Sequence, residues 1–152
     1  MVNMLKKAWT EVVKPMVQRP DRVQVAAICF KGTGADRKVL LITSRDTKRW
    51  ILPKGWPIDG LEANAAAAQE AWEEAGVKAA NINPEPLGSY DYDKRMDGGG
   101  IVSCATQVFA VEVDHLEDSF PEAQERTRKW VKPTEAAEMV DEPGLQAILK
   151  QF

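Results

Sequence analysis

The chain has 152 residues, 44% of them hydrophobic and 28% charged, with a formal net charge of −3. That length suits one domain with a sizeable core, and the charge leaves no global basic field of the kind that gathers nucleic acid or anionic membrane. With His115 as the only histidine, a multi-histidine metal centre or a Ser-His-Asp site has little to draw on.

The first stretch, "NMLKKAWTEVVKPMV", carries Leu5, Ala8, Trp9, Val12, Val13 and Met16 at helical spacing. It predicts a helical extension over residues 1–19, ended or bent by Pro15 near Lys14. Its polar face is not strongly basic, so it is expected to pack on its own domain or on a sister subunit in a homodimer rather than on a membrane. No secretory segment and no bilayer-length apolar run is read. A cytoplasmic protein is expected, with Cys29 and Cys104 as buried free thiols in a reducing compartment.

"VQVAAICF" and "KVLLITSR" read as strands joined by "KGTGADR". No helix follows Gly32 and Gly34, which favours a hairpin turn over a phosphate loop. "RWILPKGWP" gives a short strand ending at Pro53. An alanine-rich helix then runs to about Ala75, with Gly76 suited as a left-handed terminator. "VKAANINPEPLGSYDYD" reads as an irregular segment leading to a strand around Leu87–Tyr92. "DKRMDGGG" follows as a turn or flexible loop and "IVSCATQVFAVEV" as a long strand. "HLEDSFPEAQERTRKWV" is an acidic loop before a short strand at Lys129–Val131. "PTEAAEMV" and "PGLQAILKQF" close the chain as helices, each opened by a proline at a favourable early position. No repeat or linker divides the chain, so the expectation is one α+β domain over 1–152, a mixed β-sheet between helices.

The alanine-rich helix ends in an electrostatic anomaly. At about 100° per residue, Glu70, Glu73 and Glu74 share one arc, with Ala63, Ala66 and Ala67 just before them and no Lys or Arg within the helix. Like charges at this spacing repel by about 0.2–0.5 kcal/mol per pair. At exposed positions each carboxylate also opposes the C-terminal macrodipole by about 0.3–1 kcal/mol. Two readings stand. The cluster is a solvated acidic face, or it holds a hard divalent cation such as Mg²⁺, which prefers carboxylate and carbonyl oxygens. The Pro- and Gly-rich "LPKGWPIDG" ahead of the helix adds a turn able to offer backbone groups to a ligand.

From Gly55 onward this segment resembles the signature of the Nudix hydrolases: a glycine, five residues, a glutamate, seven residues, then R-E-U-x-E-E-x-G-U, with U aliphatic. "QEAWEEAGV" places Glu70, Glu73, Glu74, Gly76 and Val77 in register. Two positions depart. The first glutamate falls on Leu61, with Glu62 one step later, and the arginine falls on Gln69. "RWILPKGWP" resembles the diphosphoinositol polyphosphate and dinucleoside polyphosphate branch of that family. Over residues 20–150 the resemblance implies a mixed sheet sandwiched between helices.

It also implies hydrolysis of a diphosphate linked to another group, dependent on Mg²⁺ or Mn²⁺. Glu70 and Glu74, with a backbone carbonyl of the Lys54–Gly55 turn, would hold the metal. Glu73 would share a metal or accept a proton from the attacking water, and Gln69 could orient a glutamate only by a neutral hydrogen bond. Lys54, with Gly55, Arg45 and Arg49, would contact the phosphates. Glu125, ahead of Glu122, is the acidic residue expected from the loop before the last strand. Tyr90, Tyr92, Lys94 and Arg95 would lie near the entrance, and Trp50 and Trp56 would pack the loop or stack on a base. The competing substrates are a nucleotide sugar, ADP-ribose, an oxidised nucleotide or a capped RNA end. The competing class is a nucleotide-sensing module without turnover.

Overall fold

The computed structural model describes residues 22–152; the helix expected over 1–19 lies outside them. β1 (Arg22–Lys31) is buried along its middle six positions, as a strand covered on both faces must be. Its side chains alternate between two cores. Val25, Ala27 and Cys29 join Leu40 and Ile42 on one face, while Ala26 and Ile28 join Val39 and Leu41 on the other. Val39, Leu40, Leu41 and Ile42 belong to β2 (Lys38–Thr43), which returns antiparallel to β1 through the expected hairpin, Phe30 opposite Val39. Cys29 and Cys104 are both buried and free.

The predicted "RWILPKGWP" strand is two short pairings. β3 (Trp50–Ile51) pairs with β2, and β4 (Lys54–Gly55) pairs with β1. Pro53 has no N–H to give to a ladder. It sits at the switch, and its carbonyl accepts the Ala27 N–H at 3.0 Å. This detour carries Lys54 and Gly55 across β1 towards the helix that follows.

That helix, α1 (Ala63–Ala75), lays Ala66, Ala67, Ala71 and Ala75 on the first core. Small side chains let its backbone come close to the sheet, so its carboxylates sit near the strands. The opposite face is covered by α2 (Pro133–Met139) and α3 (Pro143–Gln151), through Ala136, Ala137, Val140, Leu145 and Leu149. Each begins with its proline, as expected. No helix among the described residues is long and apolar enough to cross a membrane.

The longest strand is β7 (Ile101–Leu116). One edge runs parallel to β1 over Cys104–Glu112. The other edge holds β6 (Gly88–Arg95) along its first half and β5 (Val77–Ile82) along its second. β5 corrects the irregular segment expected there. Its burial pattern is almost wholly exposed after Val77, so no period-2 apolar signal existed, and backbone pairing to β7 makes it a strand, with register shifts at Lys78–Ala79 and Ala79–Asn81. β6 reaches further than expected, to Arg95, so Lys94 and Arg95 are strand residues and the turn is confined to Met96–Gly100, closed by Met96 N–H to Gly100 O at 2.8 Å. β8 (Arg128–Val131) pairs with β2 and completes the mixed sheet.

Gly76 ends α1 with φ 71°. A Cβ there would lie 2.5 Å from the Glu117 carbonyl oxygen and 2.6 Å from the Phe120 ring. Gly76→Ala combines a left-handed backbone with a backbone clash. A loss of about 2–4 kcal/mol of stability is expected, read from urea unfolding midpoints at unchanged m-value.

Candidate active site

Gln24 of β1, Ser44–Thr47 and Arg49 after β2, Lys54 and Gly55, Glu70 and Glu74 of α1, Tyr92–Arg95 of β6, and Glu122 and Arg126 before β8 line one cleft of about 470 Å³. Cationic and carboxylate side chains therefore share a single cavity.

The deepest carboxylates are set by β4. Lys54 donates its backbone N–H to Glu74 Oε1 at 3.2 Å. Gly55 leaves room for Glu70: a Cβ at this position would sit 2.6 and 2.7 Å from the two Glu70 carboxylate oxygens. Burial first, then the negative charges of Glu74 and Glu73, push the Glu70 carboxyl up to about 8. Burial likewise raises Glu74, against the lowering pull of Arg126 and the Lys54 N–H. Glu73 accepts a hydrogen bond from Gln69 Nε2 at 2.8 Å, the neutral contact that the Gln69 departure allows.

Two arginines from far along the chain answer the missing cation. Arg126, whose side chain is 6% exposed, donates Nε and Nη2 to Glu122 Oε1 at 3.0 and 2.7 Å, and its Nη2 lies 3.7 Å from Glu74 Oε2. Arg128 donates to the Ala75 carbonyl at 2.9 Å and the Glu117 carbonyl at 2.8 Å, placing a positive charge at the C-terminal end of α1. The last turn of α1 itself has no basic residue. The only sequence signal for either arginine was their alternate spacing in "ERTRKW", which says nothing about α1.

Several expected positions move. Glu125 is not in the cleft lining; it pairs with exposed Arg45 at 3.2 Å, and Glu122 takes the place expected for it. Glu73 and Gln69 lie just outside the lining. Arg49 is already bound to Asp141 and Glu142, at 3.3 and 3.1 Å. Tyr90 is buried in the second core instead of standing at the entrance, whereas Tyr92 does line the cleft, its hydroxyl bonded to Gln24 Oε1 and its ring 5.1 Å from the Lys54 ammonium. Burial lowers that ammonium to about 8, opposed by Glu74. Trp50 packs on the second core, while Trp56 lines the cleft, 38% exposed. Leu61 is exposed and Glu62 caps α1 through its backbone, and neither reaches the cleft.

No three Asp, Glu, His or Cys side chains among the described residues converge as a metal cage. Glu74 and Glu122 are turned to Arg126, and Glu73 to Gln69. The donor chemistry nevertheless fits Mg²⁺, because Glu70 and Glu74 are carboxylates close enough for Glu74 to raise Glu70's hold on its proton.

The NUDIX domain family model matches residues 20–152. Nudix hydrolase 13, mitochondrial, of Arabidopsis thaliana is 32% identical over 123 residues, 76% of this chain and 59% of that protein. Diphosphoinositol polyphosphate phosphohydrolase 3-alpha of Mus musculus is 28% identical over 119 residues, 77% of this chain and 68% of that protein. The C. elegans Ap4A hydrolase structure superposes with a TM-score of 0.60 at 17% identity, over 86% of this chain and 95% of that one. The NUDIX domain of Shewanella oneidensis NrtR, complexed with ADP ribose, does so with 0.62 at 17% identity, over 95% and 94%. The structural likenesses speak for the fold alone, but the family model spans nearly the whole chain, and this protein belongs to the Nudix hydrolase family.

Proposed function

We propose that the protein is a Mg²⁺- or Mn²⁺-dependent hydrolase of a diphosphate bond in a small, highly phosphorylated substrate, a diphosphoinositol polyphosphate or a dinucleoside polyphosphate. The observation that carries it is the crowding of Glu70 against Glu74 and Gly55 inside a cleft that also presents Lys54, Lys94, Arg95 and Arg126. The name of the mouse relative, a diphosphoinositol polyphosphate phosphohydrolase, points to the first of these substrates. Glu70 and Glu74 hold the cation, and Glu122 joins them from the loop before β8. A cation held there would neutralise phosphate charge and activate a water. Glu70, whose carboxyl is raised by burial and by Glu74 and Glu73 in the metal-free protein, would take the proton of the attacking water, a role the sequence assigned to Glu73. Lys54, Lys94 and Arg95 orient the phosphates. Trp56 offers a face for a base. The free thiols of Cys29 and Cys104 support a reducing compartment such as the cytoplasm.

The exposed Leu61, where the signature has glutamate, favours one second reading: binding of the same polyphosphates without turnover. Titration calorimetry with a non-hydrolysable diphosphate, run beside a phosphate-release assay, separates the two.

Glu74→Gln removes a ligand and is expected to lower Mg²⁺-dependent phosphate release by about 100-fold or more. The panel is inositol pyrophosphates, dinucleoside polyphosphates, ADP-ribose and nucleotide sugars, with circular dichroism checking the fold. Wild-type turnover in this variant would remove Glu74 from the assignment.

The Glu70 shift has a thermodynamic consequence. Its folded-state value is raised from 4.5 to about 8, so the stability it contributes is full below the unfolded value and is lost as pH rises through the folded one. In metal-free protein Tm should decline across that window, and the decline should be smaller in Glu70→Gln and in saturating Mg²⁺. Identical pH profiles for wild type and Glu70→Gln, measured by differential scanning fluorimetry, would refute this.

A further inference from the structure

Arg126 has a side chain only 6% exposed, and every nitrogen of its guanidinium is in use. Nη1 donates to the Thr43 carbonyl at 3.0 Å, Nε and Nη2 converge on Glu122 Oε1, and Nη2 also approaches Glu74 at 3.7 Å. The next residue, Thr127, anchors the segment through its backbone. Thr43 N–H donates to the Thr127 carbonyl at 3.1 Å, and Thr127 N–H donates to Thr43 Oγ1 at 2.9 Å, which ties the segment to the end of β2. A guanidinium keeps its charge at every accessible pH and holds carboxylates in a rigid fork. By contrast Gln69, the helix residue beside the glutamates, supplies one neutral hydrogen bond, and only to Glu73.

We infer that Arg126 is the positioning residue of the carboxylate cluster. From outside α1 it holds Glu122 against Glu74, supplying the fixed positive charge that Gln69 does not. The inference rests on the metal-dependent reading above and adds to it a division of labour within Glu122. Both arginine hydrogen bonds fall on Oε1, so Oε2 takes no part in the clamp and is the oxygen left for a hydrated cation. It also sets two effects of Arg126 against each other. The arginine repels a divalent ion through its charge, yet it orders a ligand for that ion. Removing it should therefore tighten metal binding while degrading turnover, a split that loss of a merely structural ion pair would not give.

The test pairs direct Mn²⁺ binding, followed by electron paramagnetic resonance, with phosphate-release kinetics on wild type, Arg126→Gln, Arg126→Lys, Glu122→Gln and the Glu122→Gln/Arg126→Gln double variant. Arg126→Gln is expected to bind Mn²⁺ several-fold more tightly and to lose about 10–100-fold in kcat. In the Glu122→Gln background the same change should cost less than about twofold, because the residue it acts through is gone. Arg126→Lys keeps the charge but lacks the fork, so its Mn²⁺ affinity should stay at the wild-type value while kcat falls; it decides the matter should Arg126→Gln fail to fold. Wild-type kcat in the arginine variants, or additive losses in the double variant, would overturn the inference. Absence of turnover in wild type would reject the hydrolase reading instead. The Mn²⁺ arm alone then decides this one: a tighter Kd in Arg126→Gln supports it and an unchanged Kd overturns it.

Discussion

The site depends on one close approach, that of the Lys54–Gly55 backbone to the carboxylates of α1. A single N–H fixes Glu74, and the missing side chain of Gly55 admits Glu70. Both follow from how β4 is held. Two residues pair with β1, next to a proline that cannot pair itself but lends its carbonyl to Ala27. Because alanines form the face of α1 turned to the sheet, the helix lies close enough for side chains of glutamate length to reach that backbone. Larger residues at Ala66 or Ala71 would lift the helix away and dissolve the arrangement, with no glutamate changed.

Charge in the cleft is balanced across the fold rather than within any one element. α1 brings an excess of negative charge to the end where its own dipole is negative. Arg128 meets the terminal carbonyls, Arg126 meets Glu74 and Glu122, and Lys54 approaches from β4. These cations leave Glu70 uncompensated, with an elevated proton affinity. In a protein of net charge −3, one cleft thus gathers several cations beside a carboxylate left without one.

The long strand β7 does most of the architectural work. It runs parallel to β1 on one edge and carries β6 and β5 in succession on the other. That pairing extends β6 far enough to bring Lys94 and Arg95 to the cleft, where the sequence alone suggested a loop. It also makes a strand of Val77–Ile82, whose side chains give no alternating pattern, because an edge strand can be held by main-chain hydrogen bonds alone.

What the sequence determined by itself was whatever depends on neighbours along the chain. β-rich apolar runs marked β1, β2 and β7, prolines marked the starts of α2 and α3, and the spacing of Glu70, Glu73, Glu74 and Gly76 marked the acidic helix, its terminator and the family. Local periodicity carries that information because side-chain direction follows from backbone repeat. Only the tertiary structure decided which distant residues answer that helix. Arg126 and Arg128 lie some fifty positions downstream, Glu122 rather than Glu125 turns inward, and Tyr90 is core while Tyr92 lines the cleft. Those choices turn on pairing register and on a loop's path over the sheet, and neither leaves a mark in the order of residues within a single segment.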